Sequence, residues 1–165
     1  MKKTKILLLS FAALFVLQCT REAPPPILPK ITTTGSNNFG CLIDGEVYVA
    51  YKLTPNLLQH QIKLDYSYPL GLFNIRTHQI SKEGDYIASL SFGSKEVTEE
   101  GEYPLTNAVY SKDGIRAVLD TTQENHLTIL RFDIKNKIFS GLFEFTVIED
   151  GVPYHITKGR FDIGI

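Results

Sequence analysis

The sequence predicts an all-β domain: an antiparallel meander of about ten short strands, forming a barrel or a curved sandwich, behind an N-terminal leader and a Pro-rich tether. Three observations carry this reading. Beyond Phe39, apolar residues recur with period two in short runs, as expected where alternate side chains of a strand point to opposite faces. Three Asp-Gly pairs, Asp44-Gly45, Asp113-Gly114 and Asp150-Gly151, each stand between β-rich runs. Asp-Gly suits the two positive φ values of a type I′ turn, whose twist matches that of the flanking strands. Helix-like sequence is confined to Pro55 to His60, and propensity over so short a span decides nothing.

In chain order, Lys2, Lys3 and Lys5 precede the apolar run Ile6 to Leu17, interrupted only by Ser10. A basic segment followed by a short apolar one is the pattern of an export signal. The run is too short to span a bilayer as a helix, which takes roughly 20 apolar residues. It ends at Val16-Leu17-Gln18-Cys19, which resembles the lipobox of bacterial lipoproteins, whose cysteine receives diacylglycerol and becomes the mature N-terminus. Gln18 departs from the small residue usual before that cysteine. The soluble-secretion alternative lacks a good cleavage site, since Ala23, the best nearby, has Arg21 at −3 and Pro24 following. Residues 1–18 therefore read as a lipoprotein signal peptide and Cys19 as the lipid attachment residue. Acylation of Cys19 leaves Cys41 alone, and Cys41 reads as a small buried hydrophobe on a strand.

Residues 19–38 are rich in Pro, Thr, Ser, Gly and Asn, with Pro24-Pro25-Pro26 and Pro29 stiffening the first part, and read as a tether. Residues 39–165 form the single domain. Its expected strands are Phe39 to Ile43, Glu46 to Tyr51, Gln61 to Tyr68, Leu72 to His78, Tyr86 to Phe92, Ala108 to Ser111, Ile115 to Thr121, His126 to Ile134, Lys137 to Ile148 and Pro153 to Ile163. Looser turns are signalled at Glu83-Gly84-Asp85, Gly93-Ser94-Lys95, Glu100-Gly101 and Lys135-Asn136-Lys137. Alternation places Ile62, Leu64, Tyr66 and Tyr68 on one face, Tyr86, Ala88, Leu90 and Phe92 on another, and Phe139, Phe143, Phe145 and Val147 on a third. A closing sheet covers all three stripes and manages its own edges. Gly141 and Gly159 fall inside strand patterns, where glycine marks bends or bulges of a curved sheet. The last two strands, joined by Asp150-Gly151, form the longest hairpin and should bury Phe143, Phe145, Val147, Phe161 and Ile163 on one face.

Asn38-Phe39-Gly40-Cys41-Leu42-Ile43-Asp44-Gly45-Glu46-Val47-Tyr48, Ile138-Phe139-Ser140-Gly141-Leu142-Phe143-Glu144-Phe145 and Thr157-Lys158-Gly159-Arg160-Phe161-Asp162 together resemble an uncharacterised family of Bacteroidetes lipoproteins, a domain of unknown function. Leu142 stands where that pattern often has Thr, and Tyr48 where Trp is common. The resemblance implies a lipid-anchored all-β domain in the envelope of a Gram-negative bacterium. It implies no catalytic residue, cofactor or substrate.

Formal net charge is −1, and all three charges before Cys19 are basic, so 14 positive charges face 18 negative ones in the remainder. Such a balance argues against a nucleic-acid partner, which needs a concentrated positive surface. His60, His78, His126 and His155 show no metal-ligand spacing, so no metal site and no cofactor is expected. Glu96, Glu99, Glu100 and Glu102 read as a solvated turn, lacking the residue order of a calcium loop. No nucleophile elbow or Ser-x-x-Lys order is present, so no catalytic residue is assigned. Tyrosine is the more suggestive feature, with eight Tyr and no Trp. Tyr66 and Tyr68, beside Pro69 and a turn, are the candidate ligand-binding residues, against the plainer reading that they continue the apolar stripe from Ile62 and Leu64 as core or rim packing. The expectation is a non-catalytic binding or interaction module, held on the outer membrane by its N-terminal lipid, with a small molecule, a glycan or a protein as partner. A secreted hydrolase acting on envelope or host polymers is the alternative, and it would need two carboxylates converging in a pocket.

Overall fold

The computed structural model describes residues 27–51, 61–81 and 85–165, and these contain eleven strands and no helix. They are β1 (Asn38–Ile43), β2 (Glu46–Tyr51), β3 (Ile62–Ser67), β4 (Leu72–Ile80), β5 (Tyr86–Ser94), β6 (Gly101–Tyr103), β7 (Asn107–Lys112), β8 (Ile115–Leu119), β9 (His126–Asp133), β10 (Ile138–Glu149) and β11 (Val152–Gly164). Neighbours follow the order β2-β1-β11-β10-β8-β7-β5-β4-β3, antiparallel throughout, in one sheet nearly closed into a barrel. The long β10 serves two neighbours: Ile138 to Glu144 pair with β9, while Val147 and Ile148 pair with β8. On its other edge β9 carries β6.

The chemistry of the three Asp-Gly turns holds residue by residue. Asp44, Asp113 and Asp150 take φ of 49°, 51° and 50°, and their following glycines take 86°, 87° and 81°. Both central residues of each hairpin turn are therefore left-handed, as a type I′ turn requires. The differences from the expected strands lie where pairing, rather than propensity, sets the end. β3 stops at Ser67, opposite Leu72, so Tyr68 belongs to the turn and is 73% exposed instead of closing the apolar stripe. Tyr86 is also exposed, at the mouth of its strand, while Ala88, Leu90 and Phe92 are buried. Gly93 and Ser94 extend β5 rather than opening a turn, because Gly93 still pairs with both Asn74 and Asn107. β6 is an additional strand in the acidic stretch that reads as a solvated turn. The leader, Cys19 and the helix-like Pro55 to His60 lie outside the described residues.

The barrel interior is filled with rings. Phe39 stacks on Phe143 at 5.1 Å, Phe92 approaches Phe143 at 4.4 Å and Phe145 at 5.5 Å, and Phe73 meets Phe161 at 5.7 Å. Such pairs add to the roughly 1.5–3 kcal/mol that each large apolar side chain contributes on burial. Cys41 is fully buried in the same core. Gly159 is where the crowding becomes critical: a Cβ there would stand 2.3 Å from the Phe143 ring and 2.4 Å from the Phe143 carbonyl oxygen. β11 also carries one extra residue here, since Phe143 faces Gly159 and Phe145 faces Ile156. Lys158, at φ 51°, is the left-handed residue of this bulge, and its N–H donates to Glu144 Oε1 at 2.9 Å. The expected bend at Gly159 is thus a bulge that bends β11 against β10 and β1.

Residues 27–37, in the second half of the expected tether, run along the barrel. Arg160 Nη1 donates to the Pro29 carbonyl at 3.2 Å and Arg131 Nη1 to the Thr33 carbonyl at 2.7 Å. Asp162 is the main holdfast. Its carboxylate accepts from Thr32 Oγ1 at 2.7 Å, Gly35 N at 2.7 Å, Ser36 Oγ at 2.7 Å, Thr34 N at 3.0 Å and Ser36 N at 3.1 Å.

Candidate functional site

At one end of the barrel the β3–β4 turn, the end of β5, the start of β7, the β9–β10 turn and the C-terminus surround a cleft of about 780 Å³. That volume lies in the range of small-molecule sites. Phe73 and Phe139, both almost fully buried, line its base, so the ring-filled core forms a floor. The surrounding segments are fixed to one another. Val97 N donates to the Gly71 carbonyl at 3.0 Å, tying the β3–β4 turn to the loop after β5, and Ile165 N donates to the Lys137 carbonyl at 2.9 Å.

Tyr66 and Tyr68 both line the cleft, but they differ in kind. Tyr66 is locked: its ring packs against Phe139 at 5.3 Å and edge-on to Phe132 at 5.4 Å, and its hydroxyl donates to the Val97 carbonyl at 2.9 Å. Burial, helped by the neighbouring Tyr68 and Tyr103, pushes that hydroxyl above the usual tyrosine range. Tyr68, joined to Pro69 by a cis peptide, stands in the open rim. Leu72, Ile134 and Ile165 line the same cleft and are exposed large apolar residues as well.

Several polar groups of the wall are already engaged. Asn74 Nδ2 donates to Asn107 Oδ1 at 3.3 Å, and Ser94 Oγ donates to the Pro104 carbonyl at 2.7 Å. Asp65 is the only carboxylate among the lining residues, and it lies 2.6 Å from Arg76 and 3.0 Å from Lys63. The hydrogen bonds from Arg76 and then Lys63 hold its carboxyl below the usual range. Lys95 and Lys137 also line the cleft, and neither forms an ion pair among the described residues. These contributors come from separate segments, which is why sequence reading found Tyr66 and Tyr68 but not the Lys, Asn, Leu and Ile residues beside them.

The described histidines lie outside the cleft. His78 faces the Tyr86 ring at 6.2 Å, His126 lies 3.6 Å from Glu124, and His155 Nδ1 lies 3.2 Å from Thr146 Oγ1; His60 is outside the described residues. Among the described residues no three His, Cys, Asp or Glu side chains converge as metal ligands do. Burial pushes the Cys41 thiol far above the ordinary value, so it is protonated at neutral pH. A smaller groove of about 330 Å³ along β9, β10 and β11 includes Glu102, His126, Glu144, Lys158 and Arg160. There Glu144 accepts the Lys158 N–H, and Arg160 donates to the Lys158 and Pro29 carbonyls, so these charges hold backbone. No family model, no curated protein and no solved structure matches this chain, so the cleft is read from its own chemistry.

Proposed function

We propose that this protein is a lipid-anchored envelope module that binds an amphipathic small molecule in the cleft at the barrel mouth and performs no chemistry on it. The observation that carries the reading is the rim: Tyr68, Leu72, Ile134 and Ile165 are exposed apolar side chains gathered around one concave site. Single exposed apolar residues are ordinary, whereas a contiguous group around a cleft marks a place where something binds. The leader and Cys19 supply the anchoring half of the proposal, with the outer membrane of a Gram-negative envelope as its address. Nothing favours the hydrolase alternative, because the cleft wall holds one carboxylate, Asp65, already paired with two cations, where acid-base hydrolysis takes two.

The two halves separate experimentally. [¹⁴C]Palmitate should label the wild-type chain and not Cys19→Ala, and equal labelling would remove the anchor. For the cleft, the neutral apolar fluorophore N-phenyl-1-naphthylamine should gain fluorescence on binding and lose at least most of that gain in Tyr68→Ala/Leu72→Ala. Both positions are exposed, so the variant should melt close to the parent. Absence of binding, or binding untouched by the double substitution, would overturn the cleft reading.

A further inference from the structure

Resting on the cleft reading above, the charge arrangement of the wall narrows the ligand class. We infer that the ligand is a single-chain anionic amphiphile, its apolar chain laid over Phe73, Phe139 and the exposed rim, and its acidic head held by Lys95 and Lys137. The first support is the balance of charge. Three charged side chains line the cleft, and the single acidic one, Asp65, is neutralised from outside by Lys63 at 3.0 Å and Arg76 at 2.6 Å. Lys95 and Lys137 are both exposed, and neither lies within ion-pair distance of a carboxylate among the described residues. The second is their placement. Lys95 follows β5 and Lys137 closes the β9–β10 turn, so they come from opposite sides of the cleft rather than from one solvated run. The third is the apolar part of the wall: Leu64, Phe73, Phe139, Leu72, Ile134 and Ile165 present surface that cannot satisfy the hydroxyls of a polar oligomer. A neutral sugar would find the amides of Asn74 and Asn107 and the hydroxyls of Ser67, Ser94 and Thr106 here but would also have to desolvate against aliphatic side chains. An acyl chain with one negative end matches both surfaces at once.

Three competitors of equal chain length test this against the bound naphthylamine probe: laurate, dodecyl phosphate and dodecanol. The anions should displace it at concentrations roughly three- to tenfold below dodecanol, the range expected for charge pairing at a partly exposed rim. That advantage should shrink as salt rises, because exposed charges are screened. It should vanish in Lys95→Ala/Lys137→Ala, while dodecanol competes as before. The more effective anion then separates a free fatty acid from a phosphorylated lipid head as the source. Equal displacement by dodecanol and the anions, or an anion preference that survives removal of both lysines, overturns the inference and leaves the cleft reading standing. Failure of the probe itself to bind is the separate result that ends the cleft reading.

Discussion

Replacing Asp162 by Asn tests the attachment of the N-terminal segment to the barrel. Asp162 is fully buried, yet its carboxyl sits at about 2, below the ordinary 3.8. Burial acts in the opposite direction, and the donors from Thr32, Ser36 and Gly35 outweigh it. A carboxyl lowered from 3.8 to about 2 on folding contributes about 2 kcal/mol of stability once ionised. Because the folded value is the lower one, this stability is present above the unfolded value near 4 and is lost as pH falls through about 2. Asparagine keeps one acceptor oxygen and turns an NH₂ group toward backbone and hydroxyl donors, so the variant should lose roughly 2–3 kcal/mol at neutral pH. Protonated Asp162 meets the same donors with a similarly reduced acceptor set, so most of the difference between parent and variant should be gone by about pH 2.5. Urea unfolding of both chains across this range measures it. Asp65, Asp120 and Asp133 are also held low, but they titrate alike in the two chains and cancel from the difference. A difference under about 0.5 kcal/mol at neutral pH, or one that stays constant down to about pH 2.5, would refute the argument.

Two substitutions probe the core in the same way. Gly159→Ala should destabilise by about 1–3 kcal/mol or more, since the new methyl meets the fully buried Phe143 ring and its carbonyl at 2.3–2.4 Å; calorimetry reads the fall in Tm, and an unchanged melt would mean that the bulge is slack. Tyr48 donates to Thr77 Oγ1 at 2.9 Å and Thr77 donates to the Leu90 carbonyl at 2.9 Å, all buried. Tyr48→Phe leaves the second bond intact and should cost about 1 kcal/mol, whereas Thr77→Val strands the Tyr48 hydroxyl and should cost about 2–3 kcal/mol; the reverse order in denaturant titrations would contradict the relay.

Legibility in the sequence follows the range of the interaction that decides each feature. The three Asp-Gly turns are set by two residues apiece, and all three adopt the expected left-handed pair. The strand runs and their buried faces follow from alternation, as Phe143, Phe145, Val147, Phe161 and Ile163 demonstrate. β6 was not legible, because three residues form a strand only where β9 offers a free edge beside them. Tyr68 reads as a continuation of its stripe, yet its strand ends one residue earlier, where β4 ceases to supply a partner. Asp162, between Phe161 and Ile163, falls on the opposite face of β11 by alternation, and alternation names no partner for it. What buries it comes from residues 32–36, distant in sequence and themselves of tether-like composition.

The two tyrosines separate what the fold needs from what it does not. Tyr66 is held by two rings and a carbonyl, and removing it would open the core. Tyr68, with Leu72, Ile134 and Ile165, remains exposed at the cleft, so folding gains little from it. The rim lies next to the point where the N-terminal segment is held, since Gly35 packs against Gly164 and Ile165 lines the cleft. With Pro29 and Thr33 already hydrogen-bonded to the barrel, the sequence between the proposed lipid on Cys19 and the first attached residue is nine residues long, Thr20 to Leu28. At ~3.1 Å per residue in a Pro-rich chain, that is on the order of 30 Å, about half the reach of a tether of the full expected length. If the proposed lipid is attached, the cleft stands within on the order of 30 Å of a bilayer surface, close to the reservoir from which a single-chain amphiphile would reach its apolar floor and the two lysines.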